Sequence, residues 1–276
     1  ITWDPEPSHR KFGALAFIYG TVATSAIAML IAVPLGVGTA TFLAEIAPRW
    51  VRRIGSFAVE MLAAVPSVVY GFWGLFVLAP LLQHVYTAVG GPNQGGVGLF
   101  AAGLILSIMV VPYIAAVSYD ACRAVPQSQR NAAYGLGATR WQTIWSAVLP
   151  IARPGIIGGC FLGLGRALGE TMAVTMLIGN RPEIRLSPFA MGNSIASVIA
   201  NEFTEATYDL YLSALVELGL VLLVVSLIIN SFARILIWKV TRSGSGPLFT
   251  WRFRARPKPL DSSPKSASTD SPAAES

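Results

Sequence analysis

The stretch Pro154–Ile178, PGIIGGCFLGLGRALGETMAVTMLI, decides the fold. It is long and apolar enough to cross a bilayer, yet it carries Arg166 and Glu170. A charge at the centre of a spanning helix costs about 2.5–3.5 kcal/mol on insertion scales. The same stretch is rich in glycine. Gly155, Gly159 and Gly163 form successive GxxxG steps, and Gly165–Gly169 forms another, the pattern by which helices approach closely in membranes. The expectation is a span packed within protein, with Arg166 pointing into a polar pathway. At i and i+4 the two charges share a helix face. Glu170 is then expected to partner Arg166 and spare an unpaired buried cation. The alternative is a structural ion pair that locks this span to its neighbours.

The rest of the chain agrees with a membrane setting. Hydrophobic residues make up 54% and charged residues 12%, with a mean hydropathy of +0.59. Soluble domains carry about 25% charged residues. Roughly 20 apolar residues make a spanning helix, and five segments qualify: about Leu15–Leu43, Phe57–Leu82, Gly98–Tyr119, Pro154–Ile178 and Tyr208–Trp238. Backbone amides in lipid must bond within their own segment or a closed barrel. The short alternating segments of a barrel are absent, so the fold is an all-α polytopic membrane protein. Pro34, Pro66 and Pro112 fall within spans and are expected to kink them.

Loop charges set the orientation, because Lys and Arg collect on the cytoplasmic side. Arg49, Arg52 and Arg53 lie between the first two spans. Arg123, Arg130, Arg140 and Arg153 lie between the third and fourth, and Lys239, Arg242, Arg252, Arg254, Arg256 and Lys258 follow the fifth. The segment Gln83–Val97 has no Lys or Arg, and in Gly179–Thr207 Arg181 and Arg185 are offset by Glu183, Glu202 and Glu205. The first set is therefore inside, and residues 1–14, with Arg10 and Lys11, are an external segment. ITWDPEPSHRK lacks a signal-peptide pattern, so a sixth span ahead of Ile1 is expected, placing both ends inside. Residues 15–240 form the membrane domain with a cytoplasmic loop at 120–150. Residues 241–276 begin as a basic juxtamembrane stretch suited to anionic headgroups, not to nucleic acid. They end as the Ser/Pro/Ala-rich SPKSASTDSPAAES, expected to be disordered.

The loop is more organised than a linker. VPQSQRNAAYGLG reads as a short helix ended by Gly135 and Gly137. Thr139 with Gln142 makes a capping box. Trp141, Ile144, Trp145 and Val148 then form one apolar face of a second short helix, stopped by Pro150. That face either lies on the headgroups or docks in a groove of a cytoplasmic partner.

Here the residues carry a resemblance. NAAYGLGATRWQTIWSAVLP is similar to the coupling loop of ABC-importer membrane subunits, with Ala132, Ala133, Gly137, Leu149 and Pro150 in register. Asn131 stands where that pattern has Glu, and Ala147 where it has Ile. With WDP, IYGT, LLAAVPSVVYGFWGLF, VPYIAAVSYDA and LGLGRALGETMAVTMLIGN, the chain from about Trp3 to Lys239 resembles the PstC-type permease of phosphate-specific ABC importers. The resemblance implies the type I ABC importer transmembrane fold and a span preceding the WDP region. It also implies a PstA-type second permease, a cytoplasmic ATPase dimer and an external, periplasmic phosphate-binding protein. In this family the Arg-and-Glu motif is associated with phosphate translocation, which places Arg166 and Glu170 in the pathway. The coupling loop, with Trp141 and Trp145, is implied to meet the ATPase.

Several classes are disfavoured. No Walker A sequence is present, so ATP and Mg belong to a partner ATPase and this chain is expected to bind no cofactor itself. HExxH, GxSxG and an intramembrane aspartate pair are missing, so no catalytic or metal residue is assigned. Cys122 and Cys160 read as unpaired thiols, and His9 and His84 as solvated. Glu60 is expected near the inner interface, where snorkelling accommodates it. Glu217, inside the fifth span, reads as a second partner for Arg166, a pathway residue or a packed side chain. The leading function is phosphate import across the cytoplasmic (inner) membrane. The alternatives are a permease for sulfate or molybdate, and a passive anion channel.

Overall fold

The computed structural model describes residues 3–4, 11–88, 95–185 and 187–242. The tail from Ser243, together with His9 and Arg10, lies outside the described residues. The chain opens on a two-residue antiparallel ladder, β1 (Trp3–Asp4) with β2 (Lys11–Phe12). Helix α1 (Leu15–Thr41) follows and runs on through a π-helical turn at Phe42–Ile46. Then come α2 (Arg49–Ala64), α3 (Ser67–Trp73) and, after a second π-helical turn at Gly74–Leu78, α4 (Ala79–Ala88). Helix α5 covers Leu99–Arg123 and α6 covers Gln127–Gly135. Helix α7 (Arg140–Thr143) joins α8 (Leu149–Gly169) through a third π-helical turn at Ile144–Val148. The order closes with α9 (Met172–Leu177), α10 (Ile195–Glu202) and α11 (Asp209–Arg242). Among the described residues, five helical stretches have the length and hydropathy to cross a membrane: Leu15–Ile46, Ser67–Ala88, Leu99–Arg123, Arg140–Gly169 and Asp209–Ile235.

Helix α5 is the axis of the bundle. Ala101, Ala102, Ile105, Leu106, Val110 and Ile114 are sealed from solvent and form one core with Ala28 and Ala32 of α1, Ala167 of α8 and Ala173 and Leu177 of α9. The glycine seam of α8 explains the closeness. A methyl group on Gly155 would come within 2.5 Å of the Ala121 Cβ, and one on Gly163 within 2.8 Å of the Ile114 Cγ1. Gly165 and Gly169 lie off this seam and meet nothing within 4 Å among the described residues. The first GxxxG run thus packs helices within the chain and the second leaves an open face. Pro34 and Pro112 lie inside α1 and α5, as expected.

A second core stands at the hairpin end. Trp3 packs edge-on against Phe12 and Phe17, with ring centroids 5.2 and 5.1 Å away. Its indole N–H donates to Glu202 at 2.8 Å, and the Tyr211 hydroxyl donates to the same carboxylate at 2.7 Å. Ile195, Val198, Leu215 and Leu218 complete the cluster.

The structure corrects three boundaries. The second span begins at Ser67, not near Phe57, because Pro66 disfavours helical backbone at Val65 and ends α2. Trp50, Ile54, Phe57 and Met61 form an exposed apolar stripe on that separate amphipathic helix. Glu60 is accordingly on α2, beside Ser56, Tyr119 and Asp120, and does not start a span. Pro150, in turn, does not stop a helix. Arg140–Gly169 is continuous, and the π-helical turn ahead of Pro150 adjusts the register where its missing N–H would interrupt the ladder. The short loop helix is therefore the extension of the fourth span. That span ends at Gly169 instead of reaching Ile178, because the backbone at Glu170 is extended.

Gly20 gives a prediction. A methyl group there would sit 1.9 Å from the Asn193 carbonyl oxygen, whereas Gly38, also within α1, has nothing within 4 Å among the described residues. Gly20→Ala should lower the thermal midpoint of the purified protein in detergent, in line with an overpacking penalty of about 1–3 kcal/mol. Gly38→Ala should leave it unchanged or raise it, since Gly within a helix is about 0.5–1 kcal/mol worse than Ala. Equal midpoints for the two variants would contradict this packing of α1 on the 187–194 loop.

Candidate functional site

Two helix breaks frame the centre of the bundle. The first, at Val65–Pro66, leaves the last carbonyls of α2 without their i+4 donors, Leu62 keeping only a long contact from the Val65 N–H at 3.4 Å. Two tyrosines satisfy them: the Tyr70 hydroxyl donates to the Leu62 carbonyl at 2.8 Å and the Tyr113 hydroxyl to the Ala63 carbonyl at 2.9 Å. The second break follows Gly169, where Glu170 adopts extended backbone, and α9 starts at Met172.

Arg166 and Glu170 sit on either side of this second break, and that resolves why the charges are tolerated. Arg166 occupies the last turn of α8, where the negative end of the helix dipole favours a cation. Glu170 stands ahead of α9 and accepts from the Ala173 N–H at 3.3 Å, so it takes up one orphan amide of a helix start. The expected Arg166–Glu170 pair does not form. Each charge answers a helix end instead. The Arg166 guanidinium carbon lies 4.5 Å from the centroid of the Tyr113 ring, and its buried Nε has no hydrogen-bond partner among the described residues. Arg166 thus keeps a buried, uncommitted N–H at mid-bundle, and a planar fork of donors of this kind matches the oxygens of an oxyanion.

Glu217 is not brought to this place. It is exposed on α11 and lines a small cavity with Trp3, Phe12, Ala14 and Leu218. Its surroundings are therefore set by the hairpin, a neighbour that no helical periodicity reveals.

At the opposite end of α1 lies an ion pair that sequence reasoning missed. Arg130 of α6 reaches Glu45 in the π-helical turn, with Nη2 2.7 Å from Oε1 and Nε donating to Oε2 at 3.3 Å. Both side chains are 11% exposed. The same guanidinium donates to the Cys122 carbonyl at 2.8 Å and to that of Val125, capping the end of α5. Nearby, Arg52 donates to the carbonyls of Leu43 and Ala44 at 2.9 and 3.1 Å. Glu45 was readable as an acid ending an apolar span just before a basic loop, but its partner is distant in sequence.

The remaining loop residues divide. Helix α6, with Ala132 and Ala133, has no buried residue, and Leu136 beyond it is 91% exposed. Gly137, at φ +85, turns the chain in a conformation natural to glycine. The Thr139 capping box is present in both directions, with Gln142 N–H donating to Thr139 Oγ1 at 3.3 Å and Thr139 N–H to Gln142 Oε1 at 2.8 Å. The four-residue apolar face splits across the π-helical turn. Ile144 and Val148 are buried, while Trp141 and Trp145 are each 59% exposed. The two tryptophans sit edge-on at 5.9 Å and line an apolar groove of about 510 Å3 with Val37, Phe42 and Leu149. Pro150 is exposed beside it.

The comparisons with known proteins follow this architecture. Residues 15–242 match the model of the binding-protein-dependent transport system inner membrane component family. The phosphate transport system permease protein PstC of Mesorhizobium japonicum is 49% identical over 259 residues, covering 88% of this chain and 79% of that protein. The PstC of Pasteurella multocida is 47% identical over 255 residues, covering 87% and 79%. Among solved structures, an inward-facing form of the MetNI methionine ABC transporter aligns with a TM-score of 0.61 at 18% identity, over 87% of this chain and 99% of that one. A bacterial alginate ABC transporter aligns with a TM-score of 0.59 at 20% identity, over 80% and 78%. At those identities the structural likeness speaks for the fold, which is that of ABC importer transmembrane subunits. The chain belongs to the family of inner-membrane components of binding-protein-dependent transport systems.

Proposed function

We propose that this chain is the PstC-type permease of an ATP-driven importer of inorganic phosphate, with Arg166 and Glu170 on the translocation path. The observation that carries the reading is the uncommitted edge of Arg166 at mid-bundle, in a chain 49% identical to a phosphate permease. Phosphate must shed water to cross, and a guanidinium that no carboxylate holds can replace that water without first breaking an ion pair. Glu170, at the start of α9, sets a negative charge near the path and opposes overly tight retention of the anion.

The assembly has a PstA-type second permease, a cytoplasmic ATPase dimer that uses ATP and Mg, and an external phosphate-binding protein. Three features support it. The open Gly165–Gly169 face of α8 suits close packing against a second permease. The unburied α6, with Ala132, Ala133 and Gly137, suits an ATPase groove. The continuous helix Arg140–Gly169, with Trp141, Trp145, Leu149 and Pro150 at its base, joins that contact to Arg166. The loop Lys and Arg residues support a cytoplasmic α6 and C-terminus. Glu217, beside Trp3 and Phe12, is left out of this reading.

The test is an oxyanion scan on the complex reconstituted in vesicles with its binding protein. Phosphate should stimulate ATP hydrolysis and be taken up, whereas sulfate and molybdate should do neither. Stimulation by sulfate or molybdate in place of phosphate would overturn the cargo. Phosphate flux without ATP would mean a channel.

A further inference from the structure

Arg166 is held by an aromatic face rather than by an acid, and this arrangement has a use. The Tyr113 ring lies under the guanidinium at 4.5 Å, the buried Nε is free among the described residues, and the tyrosine hydroxyl is tied to the Ala63 carbonyl at 2.9 Å. We propose that Tyr113 is the positioning residue for Arg166, holding the guanidinium by one face so that its N–H edge stays open to an oxyanion. The inference deepens the function proposed above and rests on it.

The physical case has three parts. A guanidinium has two faces and an edge, and oxyanions bind at the edge. A ring over one face attracts the cation through the ring quadrupole and uses none of the edge donors. A carboxylate in the same role would take those donors and would repel the arriving anion. Tyr113 therefore keeps Arg166 in place and leaves it available, which the Arg166–Glu170 pair expected from spacing cannot do.

Next, the ring is itself fixed. Tyr113 belongs to α5, the axis of the core, and its neighbours Pro112 and Ile114 are buried. The hydroxyl takes up an orphan carbonyl at the end of α2, one residue from the carbonyl that Tyr70 satisfies. The aromatic shelf is thus pinned at the Pro66 break from one side and by the bundle core from the other.

Finally, the arrangement predicts an order among substitutions. The π face matters most and the hydroxyl less, because Phe keeps the shelf and loses only its anchor. The experiment measures phosphate uptake and binding-protein-stimulated ATP hydrolysis in vesicles containing the full complex. Tyr113→Phe should lower uptake by no more than about threefold. Tyr113→Leu should lower it about thirtyfold, the factor a desolvated cation–π contact carries, while ATP hydrolysis persists, so that uptake per ATP falls. A series of increasingly fluorinated phenylalanines at position 113 keeps the ring's shape and weakens its quadrupole, and uptake should fall step by step. The series also covers the case in which Tyr113→Leu does not assemble. A flat fluorine series overturns the proposal. So does a Leu variant that assembles but loses uptake and ATP hydrolysis in equal proportion, the signature of a structural role. Arg166→Gln is measured alongside. If it transports normally, the pathway reading itself fails. If it is inactive and the fluorine series is flat, the error lies with Tyr113 alone.

Discussion

Arg166→Gln should reduce phosphate uptake by the reconstituted complex at least a hundredfold, with assembly preserved. The size follows from the chemistry at the guanidinium edge. A bidentate contact to phosphate makes two charge-assisted hydrogen bonds, each worth about 1.5–3 kcal/mol. At 1.4 kcal/mol per factor of ten, losing both removes about two to four orders of magnitude. Glutamine retains one amide donor group and no charge. Assembly should survive because the side chain is half-buried and, among the described residues, its contact of note is the Tyr113 ring. Arg166→Lys keeps the charge and loses the planar fork, so its uptake should fall between wild type and Gln. Uptake within twofold of wild type for an assembled Arg166→Gln complex would remove Arg166 from the pathway.

The second large effect concerns the Arg130–Glu45 pair. Removing one partner of a fully buried ion pair costs about 3–5 kcal/mol, because the other charge is left unpaired, and this pair, with both side chains 11% exposed, should show much of that cost. Glu45→Ala strands the Arg130 guanidinium, and Arg130→Ala additionally releases the carbonyls of Cys122 and Val125. Either variant should lower the thermal midpoint markedly and make the segment Ala124–Thr139 more sensitive to limited proteolysis. Replacing both partners by apolar residues, as in Arg130→Met with Glu45→Leu, should recover much of the loss, since no charge is left stranded. A double variant as unstable as the two single losses added together would show that the charges are not coupled. ATP hydrolysis and phosphate uptake measured on the same variants would report on transmission. Arg130 ties α6 to the end of α1, so its loss should lower uptake per ATP even where the protein remains folded.

The contrast between these two arginines shows what a one-dimensional reading reaches. Arg166 stood out because a charge in an apolar run is expensive, and that expense is local. Arg130 looked like any loop cation, because its burial depends on Glu45, 85 positions earlier. The same holds for Tyr113. An aromatic residue in an apolar helix is ordinary until the fold sets its ring under a cation from another span. Glu217 is the opposite case: its charge within an apolar span is visible locally, but its neighbours Trp3 and Phe12 are brought there by the fold.

Helix boundaries divide in the same way. Pro66 and Pro150 carry the same chemistry, a missing N–H and a fixed φ. One ends a helix and the other does not. At Pro66 the freed carbonyls of α2 find tyrosine hydroxyls from α3 and α5. At Pro150 a π-helical turn, with Ile144 and Val148 buried against the bundle, carries the helix past the interruption.

The sequence by itself determined the membrane class, the first, third and fifth spans to within a few residues, the glycine seam of α8 and the capping box at Thr139. Each depends on composition, period or spacing within one helix, so neighbours along the chain are enough to specify it. Tertiary structure alone decided that Arg166 rests on Tyr113 while Glu170 caps α9, that Arg130 closes on Glu45, and which proline breaks its helix. Those outcomes depend on which buried donors and acceptors meet across helices, and the partners are chosen by packing around α5 rather than by distance along the chain.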